Sequence, residues 1–465
     1  MRYESTRGEA PELGFADVLL AGLADDGGLY VPKHWPNLVD TRVGDPKWHG
    51  TYAEIAAEVI APFVGDDIAR VDLDRMCRDA YATFRHDAVC PLVQIGDDEW
   101  MCELFHGPTL AFKDVALQLV GRLFDHVLGA RGTRVTIVVA TSGDTGSAAI
   151  EGVRGCEHVD VVVMFPSGRV SDVQRRQMTT VDAPNVHTIA VDGTFDDCQD
   201  LVKAMFADEA FRDSQRLSAM NSINWARVMS QVVYYVTAAR SLGGGVGKRP
   251  IAFSVPSGNF GNVLAGWVAR HMGLPISQLV VGSNRNDILT RFLHSGLMVQ
   301  TGVEPTLSPS MDIQVSSNVE RLLFELNHRD GGATAQQMQR FRTSGTLAVE
   351  PDQLERLNVF AAARFDDAQT IAQMRSLYET DGLLIDPHTA VGVAAARACR
   401  ADRGVPMVSL ATAHPAKFPD AVVQATGVHP GLPAHLGDLL DRPERHITMP
   451  NDLAAIQRHI VAITS

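Results

Sequence analysis

From residue 135 onward, short apolar runs rich in β-branched side chains alternate with stretches whose apolar positions recur every three or four residues. The runs Val135 to Ala140, Val159 to Phe165, Val186 to Val191, Ile251 to Val255, Leu279 to Gly282 and Met407 to Ala411 have the length and composition of strands. Their alternation with helical stripes predicts an α/β fold with a largely parallel sheet. Unbroken runs such as Ile137-Val138-Val139-Ala140 and Val161-Val162-Val163-Met164 suit strands covered on both faces. Ahead of this region, Asp26-Gly27-Gly28-Leu29-Tyr30-Val31-Pro32 reads as a turn entering a short extended piece, and helical patterns follow at 51–61 and 71–84. Residues 1–85 therefore read as a small leading domain.

Two polar stretches interrupt the pattern. Ser241 to Arg249 is glycine-rich, but it lacks the glycine spacing of a phosphate loop and precedes a strand, so it reads as a linker. Residues 326–352, with Asn327-His328-Arg329-Asp330-Gly331-Gly332, read as an exposed insertion.

Composition narrows the class. With 465 residues, 45% hydrophobic and 21% charged, the chain is that of an ordinary globular protein of two or three domains. A formal charge of -14, from 41 basic and 55 acidic residues, argues against a nucleic-acid surface while leaving room for a local cationic pocket. No apolar run approaches the roughly 20 residues of a membrane span. The segment Met1-Arg2-Tyr3-Glu4-Ser5-Thr6 lacks a signal-peptide core, so a cytoplasmic location with no membrane partner is expected. Cys77, Cys90, Cys102, Cys156, Cys198 and Cys399 are scattered, which points to neither a disulfide framework nor a zinc site.

The candidate chemistry starts at Lys113. Val115, Ala116, Leu119, Val120, Leu123, Phe124, Val127 and Leu128 form a buried helical stripe, so Lys113 falls in the first turn, where the helix dipole disfavours an ammonium. Gly107 and Pro108 turn the chain just upstream. The position suits an amine kept neutral or bound as an imine to a carbonyl cofactor; the competing reading is a solvated surface lysine.

Three strands run directly into turn-rich loops, and ligands of open α/β sheets gather outside the carboxyl ends of strands. Thr141-Ser142-Gly143-Asp144-Thr145 could hold a carboxylate on hydroxyls and backbone amides, although Asp144 would repel an anion unless it meets a cation; a plain capped helix is the alternative. Ser257-Gly258-Asn259-Phe260-Gly261-Asn262 is dense in donors and free of acid, which suits a phosphate, or is a simple glycine turn. Thr412 could offer a hydroxyl to a heterocyclic nitrogen or serve as a cap. A reactive lysine, a phosphate cradle and a carboxylate-sized loop together fit a pyridoxal phosphate enzyme.

The runs Asp26 to Pro32, His106-Gly107-Pro108-Thr109-Leu110-Ala111-Phe112-Lys113-Asp114, Thr141 to Ser147, Asn221-Ser222-Ile223-Asn224-Trp225-Ala226-Arg227, Ser257 to Asn262 and Ala413-His414-Pro415-Ala416-Lys417-Phe418 resemble the threonine synthase family, in its long bacterial and fungal form. These enzymes belong to fold type II of the pyridoxal-phosphate enzymes. The resemblance implies a tryptophan synthase β-like fold with two open, mostly parallel sheets covered by helices. It also implies a leading domain at 1–85, a lysine and carboxylate-loop region at 86–245, and a large α/β domain at 246–465. The implied activity is a carbon-oxygen lyase reaction converting O-phospho-L-homoserine and water into L-threonine and phosphate, in a monomer or homodimer. Lys113 would form the Schiff base and move protons, Gly258, Asn259, Phe260, Gly261 and Asn262 would bind the cofactor phosphate, and Thr412 would face the pyridine nitrogen. Thr141, Ser142, Gly143, Asp144 and Thr145 would meet the substrate, with Asn224 and Arg227 at its phosphate. Many fold type II relatives carry Asn at the position of Asp144. Ser316, Ser317, Asn318 and Arg321 form a second polar candidate for that phosphate, with Lys417 assisting. The alternatives are a serine or threonine dehydratase or β-replacement enzyme, and a non-catalytic ligand-binding relative.

Overall fold

In the computed structural model, which describes residues 1–246 and 248–464, the alternating runs assemble into two sheets. The larger has six strands in the order Phe360–Arg364, Ile276–Ser283, Ile251–Pro256, Met407–Ala411, Glu99–Glu103, Leu92–Gly96. All its pairings are parallel except the last, a hairpin turned at Asp97 and Asp98. The smaller has five parallel strands in the order Ile447–Pro450, Val186–Asp192, Val159–Pro166, Val135–Ala140, Leu217–Ser218. Every residue of Val159–Pro166 and of Ile251–Pro256 is buried, as central strands sandwiched between helices require.

The six expected strands are all present, and the unexpected ones are those whose side chains carry no strand signal. Phe360–Arg364 is an alanine-rich edge strand, placed by its register against Leu279 to Ser283. Glu99–Glu103 has acids at both ends and is held between Met407–Ala411 and Leu92–Gly96. These additions tie distant parts of the chain together. Leu92–Glu103 belongs to the same sheet as residues 251–411, and Ile447–Pro450 joins the other, so a boundary at 245/246 does not separate the two sheets. Gly247, within the expected linker, and Ser465, at the end of the 246–465 stretch, lie outside the described residues.

Residues 326–352 are not an exposed insertion. Asp330 caps the helix Gly331–Ser344, and the following strand Thr346–Ala348 pairs antiparallel with Leu297–Val299. Leu326, Phe341 and Leu347 are buried, so a few apolar anchors suffice to dock a segment that is otherwise mostly polar.

The leading segment folds as expected into a Tyr3–Ser5/Tyr30–Pro32 pair and the helices Tyr52–Val64 and Arg70–Tyr81. A capping box of Thr51 and Glu54 starts the first helix. Its core is continuous with the rest: Ile60, Phe63 and Leu73 pack in one cluster with Leu119, Leu123 and Phe124. Arg7 and Thr6 both bond Glu320. Among the described residues, no helix is long and apolar enough to cross a membrane.

The stripe predicted after Lys113 forms the helix Lys113–Arg131, the lysine helix. It crosses the helix Asp144–Val153 at two glycines, where a Cβ on Gly121 would lie 1.9 Å from the Gly152 carbonyl oxygen. This close approach sets Lys113 relative to the loop at 141–145.

Candidate active site

Lys113 reaches the site on a segment stitched to the third loop. Leu104 N–H donates to Ala411 O at 3.0 Å, Phe112 N–H to Thr412 O at 2.9 Å and His414 N–H to Leu110 O at 3.0 Å. Leu110, at φ 62, makes the turn. Asp114 does not cap the helix. It accepts from the Thr109 amide at 2.8 Å and hydroxyl at 2.7 Å, fixing the loop before the lysine, and burial pushes its carboxyl up to about 7 against those bonds.

All three strand-end loops meet Lys113 in one cavity of about 100 Å³, whose lining includes Lys113, Asp144, Thr145, Arg227, residues 257–262, His388 and Thr412. The convergence is the expected arrangement outside the carboxyl ends of parallel strands. Lys113 is nine-tenths buried, so the surface-lysine alternative falls. Burial lowers the pKa of its amine; Asp144 opposes the shift, while Lys417 and Arg227 add to it.

The Ser257 to Asn262 loop forms a cradle. It ends in the helix Gly261–His271, which no side chain caps and whose first turn holds no acid. A Cβ on Gly258 would lie 2.8 Å from Ser310 O, so only glycine lets the backbone follow this path. Phe260 takes a left-handed φ of 59 and is buried against Phe360. Asn318 Nδ2 donates to Asn259 O at 2.9 Å and Ser316 Oγ to Gly258 O at 2.7 Å, bracing the loop from behind. Tyr234 and Tyr235 donate to Asn262 Oδ1 at 2.6 and 2.9 Å, which turns the amide NH2 toward the cavity; among the described residues Asn262 Nδ2 is buried with no partner. An orphaned donor, a glycine cradle and an uncapped helix start fit the phosphate of pyridoxal phosphate, with the Lys113 amine on the same cavity for its carbonyl.

The loop at 141–145 differs from its expectation. Thr141 Oγ1 accepts the Gly143 and Gly146 amides, both at 2.9 Å, and so caps the turn, while Ser142 is exposed; neither lines the cavity, nor does Gly143. Asp144 points at cations: Lys113 Nζ lies 3.3 Å from Oδ2 and Lys417 Nζ 3.1 Å from Oδ1, and Gln174 Nε2 donates to Oδ1 at 2.9 Å. Burial alone would raise its pKa, yet the two ammonium groups and the Gln174 bond hold it well below the usual carboxylate range.

Arg227, on the helix Trp225–Ser241, lines the cavity. Its Nη1 donates to Met220 O at 3.2 Å, and among the described residues its buried Nε has no partner and its guanidinium no carboxylate within ion-pair distance. Burial pushes its pKa down to about 10.

Other expected substrate contacts are committed elsewhere. Asn224 is fully buried, accepts from the Ala226 amide at 3.0 Å as the cap of Trp225–Ser241, and donates to Leu19 O at 2.9 Å. Arg321 bonds Tyr30 O, Ile223 O and Asn318 Oδ1, tying the leading segment to the helix behind the cradle. Lys417, fully buried, does not line the cavity.

His388 is a cavity residue that sequence reading missed. Its Nδ1–H donates to the buried Asp386 at 2.8 Å, and the Ser310 amide donates to Nε2 at 3.2 Å, which assigns the tautomer. The available signal was Asp386-Pro387-His388-Thr389, a cap, proline and helix start after a strandless stretch.

The comparisons agree with this geometry. A sequence profile described as threonine synthase N terminus matches residues 2–81, one described as pyridoxal-phosphate dependent enzyme matches 94–410, and one described as threonine synthase, C-terminal, matches 389–460. Fold and cavity together thus define a fold type II pyridoxal-phosphate-dependent enzyme. A threonine synthase of Pseudomonas aeruginosa is 55% identical over 463 residues, covering 99% of this chain and 98% of that one. The crystal structure of a PLP-bound threonine synthase from Brucella melitensis superposes with a TM-score of 0.96 at 52% identity, over 100% of this chain and 99% of that one. The yeast threonine synthase structure gives 0.93 at 39%, over 99% and 98%. The chain belongs to the threonine synthase family.

Proposed function

We propose that this chain converts O-phospho-L-homoserine and water into L-threonine and inorganic phosphate, as a cytoplasmic monomer or homodimer using pyridoxal phosphate. The observation that carries the reading is one cavity holding a buried amine of lowered pKa, a donor-lined helix start and a second, independent cation in Arg227. Two separate anion sites suit a phosphorylated cofactor and a phosphorylated substrate.

Bound pyridoxal phosphate supplies the electron sink that makes protons on Cα and then Cβ of the substrate acidic. Gly258 to Asn262 would hold its phosphate on backbone amides and the Asn262 Nδ2, and Thr412 would offer the ring nitrogen a neutral hydroxyl. Once freed, the Lys113 amine takes the Cα proton, then a Cβ proton, and returns protons at Cγ and Cα. Arg227 grips the γ-phosphate while the Cγ–O bond breaks, and water then adds as hydroxyl at Cβ, its remaining proton ending on the released phosphate. Thr145, which lines the same cavity as the amine, would meet the substrate's amino-acid end.

Incubating the cofactor-loaded protein with O-phospho-L-homoserine tests the reading. Equal amounts of phosphate and threonine are expected; phosphate released with 2-oxobutanoate and no threonine would overturn it in favour of an eliminating enzyme.

A further inference from the structure

One buried carboxylate, Asp144, faces two buried ammonium groups. Lys417 Nζ donates to Thr109 O and Gln177 Oε1, both at 2.7 Å, and pairs with Asp144 Oδ1 at 3.1 Å. Lys113 Nζ donates to the other oxygen, Oδ2, at 3.3 Å. A buried ion left without a counter-charge costs several kcal/mol, so charge pairing inside this layer is demanding. Lys417, fully buried and tied to Thr109 and Gln177, already supplies Asp144 with one counter-charge. Lys113 is the surplus cation.

We propose that Lys417 is a positioning residue for the reactive amine: it keeps Asp144 charge-balanced, so that Lys113 can shed its proton without leaving a buried, uncompensated carboxylate. This rests on Lys113 being the cofactor-bearing amine. It also gives Asp144 a role, as the electrostatic partner of that amine, and explains why an acid sits in a loop otherwise suited to a carboxylate ligand. Gln177 Nε2 donates to Thr109 O at 3.0 Å, closing a ring of bonds around Lys417 that keeps its ammonium from swinging into the cavity.

The charged groups facing Lys113 come from three further elements: Asp144 from the helix after the first loop, Lys417 from the third loop and Arg227 from the helix Trp225–Ser241. His388 adds a ring near Asp144. The signs are therefore separable. Removing Lys417 leaves Asp144 to hold the Lys113 proton, which raises the pKa of the amine; removing the Asp144 charge lowers it; removing both restores the balance.

The test uses the full chain without cofactor. Lys113 is trace-labelled with acetic anhydride across pH and its labelling midpoint read by peptide mass spectrometry. Lys417→Met is expected to raise the midpoint by about one pH unit or more and Asp144→Asn to lower it by a similar amount. Asp144→Asn/Lys417→Met should return to within about half a unit of the parent. Lys417→Met strands Thr109 O and Gln177, so if it fails to fold, Lys417→Gln, which removes the charge but keeps a donor for Thr109 O, takes its place, and an unmoved midpoint in the folded Lys417 variant overturns the proposal. An unmoved midpoint in folded Asp144→Asn overturns the proposal, as does a double variant shifted as far as Lys417→Met. Since neither cofactor nor substrate is present, failure to make threonine would leave this readout standing, and an unmoved midpoint would overturn the Lys417 role even in a chain that makes threonine.

Discussion

The loops at 141–145 and 257–262 have the same local plan and opposite electrostatics. Each leaves a buried parallel strand, turns on glycine and enters a helix at the cavity. In the first, Asp144 opens the helix, and its negative charge sits where the dipole favours it, already matched to two lysines. In the second, the helix start carries no acid and the Asn262 Nδ2 has no protein partner among the described residues. One loop has its anion built in, and the other is left short of one. A strand-loop-helix unit therefore announces an anion site, and the charges that the fold brings opposite decide whether the protein or a ligand supplies it.

The sharpest way to break this comparison is to remove the amine that both loops face. Lys113→Ala should abolish the visible absorbance of the bound cofactor and cut turnover roughly 10³-fold or more, read by spectroscopy and phosphate release. Converting the second loop to the chemistry of the first comes next. Asn262→Asp keeps the acceptor for both tyrosine hydroxyls but turns the free donor into a carboxylate oxygen. Cofactor affinity should fall about 10²-fold or more, measured by titrating absorbance, since an uncompensated charge at a phosphate costs about 3 kcal/mol or more.

Arg227→Ala separates the two anion sites. Losing a charge-assisted bond of about 1.5–3 kcal/mol should raise KM for O-phospho-L-homoserine roughly 10- to 100-fold, with the cofactor affinity nearly unchanged. An unchanged KM would move the substrate phosphate elsewhere. The smallest effect belongs to Asn224→Ala, which removes a helix cap: stability should drop by about 0.5–2 kcal/mol in thermal or urea melts while KM stays put. A change in KM with no loss of stability would return Asn224 to the substrate site.

Much of the fold was legible because the central strands are apolar on both faces and the lysine stripe has a clear helical period. Leu92–Glu103, Phe360–Arg364 and Ile447–Pro450 were not, because each is polar, alanine-rich or short and is held by its neighbours' backbone groups. In the site, the cradle and Thr412 could be picked out by their place after strands, Lys113 by its helix start and Arg227 by its residue type. Their roles remain those proposed above. Asn224 and Arg321 misled for a common reason: polar side chains near a ligand loop also serve as its buried scaffolding, and sequence does not say which carbonyls they meet. His388 was hidden because its orientation depends on Asp386 and on Ser310, a residue remote in the chain.

The sequence by itself determined which segments could become strands, where the chain turns on glycine and which amine stands at a helix start. These follow from side-chain period and backbone freedom, which are local properties. Only the tertiary structure decided that Asp144 meets Lys417 and Lys113 while Asn262 meets two tyrosine hydroxyls. Charge and hydrogen-bond pairing act through space, across 273 positions between Asp144 and Lys417 (417 − 144), and no local pattern records them.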